Sequence, residues 1–253
     1  MTASLLTLAD SRLPAGGHAH SGGVEQAIAA GVVHDPGSLR TFLRRRLATS
    51  GLVAAGLAAA ACAAADERGA GGRPEEAGRR GPDAAGERHL DAVAARRTTL
   101  LSLLDTEADA RTPSPALRAA SRQQGRGLVR VGRCAWPSDV WDALPALPHH
   151  PIALGVAAQV AGLEPRDAAQ AAAYLSITGP ANAAQRLLAM DPLTVAAVTA
   201  RLSPDVDATA ESALAASRQG HSGRCGPLSA ATDPLLDLLA EVHAARKDRF
   251  FAS

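Results

Sequence analysis

The sequence predicts an all-α fold, a multi-helix array built as a single domain over residues 1–253, and three observations carry that reading. Hydrophobic residues make up 47% of the chain but aromatics only 2%, so the apolar content is mostly Ala, Leu and Val. Ala and Leu favour helix and small side chains let helices approach closely, whereas a sheet core draws on aromatic and β-branched residues. Six places pair an acidic or hydroxyl residue with a following proline: Asp35-Pro36, Ser114-Pro115, Glu164-Pro165, Asp191-Pro192, Ser203-Pro204 and Asp233-Pro234. Proline loses no hydrogen bond in the first helical turn, and the residue before it can cap. Between these starts, apolar residues recur at helical spacing.

The Leu-rich N-terminus opens as an amphipathic helix, and Leu13-Pro14-Ala15-Gly16-Gly17 ends it. Gly22-Gly23 breaks the chain again, with His18, His20 and Ser21 between the breaks and Glu25 opening the next helix. This density of Gly and Pro around polar side chains predicts a loop held in a defined shape. From Ser38 to about Ala64 runs the clearest helix, with Leu39, Phe42, Leu43, Leu47 and Leu57 on one side. Arg44-Arg45-Arg46 reads as its solvated face or as a contact to an acidic partner.

Asp66–Arg88 is almost entirely Gly, Pro, Ala and charge, has no apolar face, and predicts a disordered low-complexity insertion (66–88). It is not a domain boundary, because helical patterning resumes from His89 with Leu90, Val93, Arg97, Leu100, Leu101 and Leu104. In the next helix, Ser114–Cys134, Ser121 and Gly125 stand four residues apart and offer a small-residue face to another backbone. Trp136–His150 is a Pro-rich connector in which His149-His150 reads as structural, and Ile152–Ala161 is a short apolar helix. Asp167–Met190 is longer, and Gly179-Pro180 should kink or break it. Helices near Pro192–Leu202 and Pro204–Ser217, a loop over Gly220–Thr232, a last helix Pro234–Lys247 and a C-terminal tail (248–253) complete the chain.

Composition excludes several function classes. Lys and Arg total 26 against 25 Asp and Glu, a net charge of +1, which gives no support to nucleic-acid binding. Cys62, Cys134 and Cys225 form neither a C-x-x-C pair nor a disulfide framework, which suits a reducing cytoplasm. Asp10 and Arg12 interrupt the N-terminal apolar stretch, so it does not read as a signal peptide. The longest apolar run, Leu52–Ala65, is short for a bilayer span, so the chain is expected to be cytoplasmic and free of membrane.

His18, His20 and Glu25 could form a metal-dependent hydrolase site if the loop were extended, but no H-E-x-x-H spacing accompanies them. The chain has no G-x-S-x-G elbow and no Walker-type phosphate loop. Two of the three phenylalanines, Phe250 and Phe251, sit near the end of the chain after Arg246, Lys247 and Arg249. Aromatic and Arg side chains commonly anchor interfaces, so these residues are expected to meet a partner rather than the core.

Four blocks resemble the urease accessory protein F family. Ser11, Leu13, Pro14, Gly16, His20, Ser21, Gly23 and Glu25 match its N-terminal "SxLP-x-G-x-x-x-HS-x-G-x-E" signature. Ala120, Ser121, Gly125, Arg126, Leu128 and Arg130 are similar to its "AS-x-x-x-GR-x-L-x-R" helix. His149, Pro151, Ala153, Leu154 and Gly155, then Ala173, Tyr174, Leu175, Asn182, Ala184, Arg186 and Leu187, follow its "H-x-P-x-ALG" and "AYL … N … A-x-RL" elements. His243, Arg249, Phe251 and Ser253 match the family's terminus.

The resemblance implies an all-α, homodimeric, non-enzymatic chaperone without catalytic residues, metal or cofactor of its own. It would bridge accessory protein D (also called H) and the GTPase accessory protein G, and assist nickel delivery to apo-urease. Candidate partner contacts are then Pro14, Gly16, His20, Ser21, Glu25, Ser121, Gly125, Arg126, Tyr174, Asn182, Arg186, Arg249, Phe250 and Phe251. The rival readings are the small hydrolase on His18, His20 and Glu25, and a generic helical scaffold.

Overall fold

The structure, a computed structural model, describes residues 3–10, 13, 19–66, 84–218 and 227–252. Among these residues the regular elements are all helices. They are α1 (Ala3–Leu8), α2 (Val24–Ala29), α3 (Pro36–Arg46), α4 (Leu52–Ala65), α5 (Ala84–Ala110), α6 (Pro115–Ala135), α7 (His150–Val160), α8 (Pro165–Leu187), α9 (Pro192–Arg201), α10 (Ser203–Arg218) and α11 (Pro234–Ala245). A π-helical turn, Leu47–Gly51, joins α3 to α4, and a 3-10 turn, Asp139–Ala143, precedes α7.

The proline starts work as the local chemistry requires. Asp35 accepts from the Ser38 N–H at the head of α3, Ser114 from Leu117 N–H, Asp191 from Leu193 and Thr194 N–H, and Asp233 from Leu235 N–H. Each satisfies at least one of the donors that a helix start leaves open. α10 begins at Ser203 rather than after it, because Leu202 carries the chain on from α9 almost without a break.

The continuous helix Pro36–Ala65 is long and apolar enough to cross a membrane by length and composition. In this fold it is the helix on which α5, α7, α8 and α10 pack, and Ala55, Leu57, Ala58, Ala59, Ala61 and Cys62 are buried. Small residues set the spacing. A Cβ on Gly155 of α7 would stand 2.4 Å from the Ala58 carbonyl oxygen and 2.7 Å from the Ala61 Cβ. A core of closely crossing helices filled by Ala and Leu needs few aromatics. One it does use is Trp141, whose ring fills the space beside Gly132 while its Nε1–H donates to Trp136 O at 2.9 Å.

Three expectations are revised. Arg44-Arg45-Arg46 is a solvated face only in part: Arg44 and Arg45 are exposed, Arg44 pairing with Asp205 at 3.1 Å and Arg45 donating twice to Asp233 at 2.8 Å. Arg46 turns inward and donates to Ser176 O and Gly22 O, each at 2.9 Å. Its burial pushes the guanidinium down to about 10, which still leaves it a cation at neutral pH.

The second revision follows from the first. α8 runs unbroken through Gly179-Pro180 to Leu187. Proline at 180 removes the N–H that would have served the Ser176 carbonyl one turn earlier, and Arg46 supplies the missing donor.

The third concerns the insertion. Residues 67–83 lie outside the described residues, and α5 starts at Ala84, five residues before the resumption expected at His89.

Candidate functional site

Two constellations and a cavity between them collect most of the residues singled out by the sequence. The first is a seat for the C-terminal tail. Gly22 and Gly23 have φ of 60° and 86°, left-handed values that suit glycine. The turn they make drops Glu25 into the first turn of α2, where its carboxylate is buried. Oε1 accepts from Phe250 N–H at 2.8 Å, and Oε2 from Phe251 N–H at 3.0 Å and from His243 Nε2–H at 3.0 Å. Burial works against the charge, but the donors from Phe250, His243 and Phe251 prevail and hold the Glu25 carboxyl below its ordinary range. A buried carboxylate with three donors is stable where an unpaired one would be costly.

The tail is therefore fixed by its backbone, which divides the two phenylalanines. Phe251 is 8% exposed and joins the core, with the Arg186 guanidinium 4.8 Å above its ring centroid. Phe250 is 85% exposed. The expectation that both stay out of the core fails for Phe251, whose ring is buried, whereas the ring of Phe250 is exposed. Ala252 N–H extends the seat by donating to Ala19 O at 2.7 Å. Beside the tail, α11 presents Leu238 and Val242, one turn apart and both exposed. Arg249 is exposed as well, with Nη1 reaching Ala244 O at 3.4 Å.

The second constellation joins α5, α6 and α7. A Cβ on Gly125 would lie 2.0 Å from Pro148 O, so only glycine admits the chain entering α7. Ser121 accepts from His150 N–H at 3.1 Å, and its oxygen lies 3.0 Å from His149 Nδ1. The buried His149 donates from Nε2 to Asp109 at 2.9 Å and from its backbone N–H to Asp105 at 2.7 Å. Arg122 closes the network onto Asp105 at 3.0 Å and Asp109 at 2.5 Å. Burial opposes the Asp109 charge, but His149 and Arg122 outweigh it and keep that carboxyl below its usual range. Two of the sequence blocks thus meet as one junction, and the small-residue face of α6 serves a backbone of the same chain.

Between the seat and the junction lies a cavity of about 260 Å³. His20, Arg46, Ser121, Gln124, His149 and His150 are among its polar walls, and Leu8, Leu57 and Leu154 among its apolar ones. Burial pushes His150 down to about 4, with the neighbouring His20 adding to the effect, so His150 is neutral at pH 7. Thr49 and Ser50 of the π-helical turn also line the cavity. Ser21 is fully buried, and its hydroxyl has no hydrogen-bond partner among the described residues.

Tyr174 and Asn182 go elsewhere. They lie on the outer side of α8, both exposed, and line a groove with α1, α9 and α10 that includes Leu5, Leu6, Val195 and Val206. Arg126 is exposed on α6. Pro14, Gly16 and His18 lie outside the described residues. Glu25 is committed to the tail and to His243, and His20 lines the cavity. Among the described residues no group of three His, Cys, Asp or Glu is placed to hold a metal ion. The sequence gives no sign of the acidic pair Asp105 and Asp109. It marks Arg46 only as part of an arginine run, His243 only by its place in the C-terminal block, and Leu238 and Val242 only as members of the apolar stripe of the last helix, from which the structure leaves both exposed.

Residues 33–203 match the family model described as UreF. Urease accessory protein UreF of Mycolicibacterium vanbaalenii is 47% identical over 251 residues, 99% of this chain and 98% of that protein. The proteins of the same name from Mycobacterium marinum and Mycobacterium tuberculosis are 45% and 41% identical, each over 99% of this chain and 98% of their own length.

Proposed function

The chain belongs to the UreF family of urease accessory proteins, and from that premise we propose that it acts as a non-catalytic, cytoplasmic, homodimeric bridge in urease maturation. In this reading it joins accessory protein D (or H) to the GTPase accessory protein G and so assists nickel insertion into apo-urease. One observation supports the bridge above the alternatives. Phe250 stands 85% exposed on a tail pinned by two backbone hydrogen bonds to Glu25, whose carboxylate His243 of α11 also holds. An aromatic held out on a rigid backbone loses little entropy when it is buried by a partner.

Leu238 and Val242 are exposed on α11, and Lys247 and Arg249 are exposed cations between that helix and Phe250 in the chain. Glu25 serves the surface from beneath by seating the tail, His20 and Ser21 are buried just before α2, and Pro14 and Gly16 lie outside the described residues. Ser121 and Gly125 fix the α6–α7 junction. Tyr174 and Asn182 offer a second exposed surface on α8, on a different set of helices, as a bridge between two partners requires. The hydrolase alternative loses its carboxylate, since both Glu25 oxygens already accept hydrogen bonds inside the chain.

The test is co-purification of the full chain with the D-type protein, protein G and apo-urease, read beside urease activation in cells. Wild-type capture of D and G together is the expected result. Failure to capture either, with urease activation unaffected by loss of the gene, would overturn the reading.

A further inference from the structure

α6 carries arginines at 118, 122, 126, 130 and 133. Four residues turn an α-helix by about 400°, so each arginine of the first four is rotated by about 40° from the one before. The row begins against α5 and walks out onto the surface. At its start the arginines are used inside the chain. Arg118 donates to Thr112 O and Pro113 O, and Arg122 bridges Asp105 and Asp109, which are four residues apart on α5. At its end Arg133 pairs with Asp142 at 2.7 Å and donates to Trp141 O.

Arg126 and Arg130, in the middle, are exposed and make no hydrogen bond or ion pair among the described residues. The opposite side of the helix, Gly125, Leu128 and Gly132, is buried. Like charges one turn apart cost a helix a few tenths of a kcal/mol rather than supporting it. Of the residues that carry the resemblance in this block, Ser121, Gly125 and Leu128 have work inside the fold, whereas these two arginines have none.

We propose that Arg126 and Arg130 form a docking face for an acidic helical surface of a protein partner. Arg122 shows the geometry in miniature, because one turn of acidic helix, Asp105 and Asp109, saturates a guanidinium of this same row. Two cations one turn apart, about 6 Å along the axis, fit a pair of carboxylates at the same spacing. They are too few for a polyanion, and the chain's net charge of +1 adds no wider basic field. The face lies on α6 and Phe250 on the C-terminal tail, so it is a second contact for the bridge and rests on the bridging reading above.

The experiment measures binding of the full chain to the D-type protein, protein G and apo-urease separately, at about 0.05 M and about 1 M ionic strength, where the Debye length falls roughly fourfold. The variants are R126E/R130E, the conservative R126K/R130K, and the control R40E/R201E. That control removes two other exposed arginines without ion pairs among the described residues and makes the same change in net charge. For at least one partner, R126E/R130E should weaken binding tenfold or more at low salt, the gap closing at high salt. R126K/R130K and R40E/R201E should stay within about threefold of wild type.

Wild-type-like binding of R126E/R130E to every partner would overturn the docking face and leave the bridge standing. Loss of self-association by R126E/R130E, with partner binding unchanged, would overturn it in favour of a contact between copies. Absence of wild-type binding to all three would overturn the bridge and this face together.

Discussion

Arg46 donates from Nε to the backbone oxygen of Ser176 at 2.9 Å, and that oxygen is the one Pro180 leaves without its helical donor. The same guanidinium reaches Gly22 O, so one side chain mends α8 and fixes the loop ahead of α2. Hydrogen bonds from a charged donor to half-buried carbonyls are worth roughly 1.5–3 kcal/mol each. Arg46→Met should therefore lower stability by about 2–4 kcal/mol, measured by urea denaturation. Pro180→Ala restores an N–H for Ser176 O, so in that background Arg46→Met should cost about 1 kcal/mol less. Equal costs in the two backgrounds would show that the Arg46–Ser176 bond does not compensate for Pro180.

Stability should fall with acid in two windows that belong to different residues. His150 is neutral in the fold down to about 4 but titrates near 6.5 in the unfolded chain. Between those values the unfolded state binds the extra proton, so stability drops as pH falls, by roughly 3 kcal/mol over the window. Glu25 is held below its ordinary 4.5, so its contribution is present above that value and is lost as pH drops through the lowered one. His150→Gln should flatten the upper window and leave the lower. Glu25→Gln should flatten the lower and cost stability at neutral pH. Urea titrations at stepped pH separate them, and an unchanged slope between pH 6.5 and 4 in His150→Gln would reject the assignment.

The parts of this fold legible in the sequence are those decided within a few residues. Asp35, Ser114, Asp191 and Asp233 cap their helices because each cap bond closes over two or three positions. Leu39, Phe42, Leu43, Leu47 and Leu57 are buried where helical spacing puts them, even though a π-helical turn intervenes after Arg46. What escaped the sequence is decided over long distances. Arg45 finds Asp233, Arg46 finds Ser176, and Glu25 finds Phe250 and Phe251, with more than a hundred residues between the members of each pair. A run of three arginines looks the same whether water or a buried carbonyl receives it. A scarce phenylalanine near a terminus gives no sign of which way the tail will turn.

Gly125→Leu should be more damaging than Arg45→Ala. A Cβ at 125 already meets Pro148 O at 2.0 Å and the His149 backbone at 2.9 Å, so a larger side chain must push the entry to α7 away from Ser121. Overpacking of this kind costs roughly 1–3 kcal/mol and more when backbone is the obstacle. Arg45→Ala strips the half-exposed partner from Asp233, which keeps its cap bond to Leu235 N–H, so about 1 kcal/mol is expected. Thermal melts of the two variants decide the order. A Gly125→Leu protein as stable as Arg45→Ala would mean that the α6–α7 junction yields freely.

Phe250 and Phe251 should behave as opposites although they are neighbours. Phe251→Ala removes a ring buried against the core and beneath Arg186, so a loss of about 3 kcal/mol is expected. Phe250→Ala removes a ring that touches little of this chain and leaves the backbone N–H on Glu25, so its melting temperature should match wild type. Partner capture should reverse the ranking once stability is accounted for. Phe250→Ala should weaken binding of the D-type protein by about 2–4 kcal/mol if the ring is an interface anchor. Glu25→Gln supplies the connecting case: it keeps both rings but loosens the seat, so it should weaken capture in proportion to how far the tail is released. Hydrogen exchange at the Phe250 and Phe251 amides reports that release directly. If Phe250→Ala binds the D-type protein as wild type does while the tail amides stay protected, the exposed ring is not the anchor, and the partner must be read from Leu238 and Val242 on α11 instead.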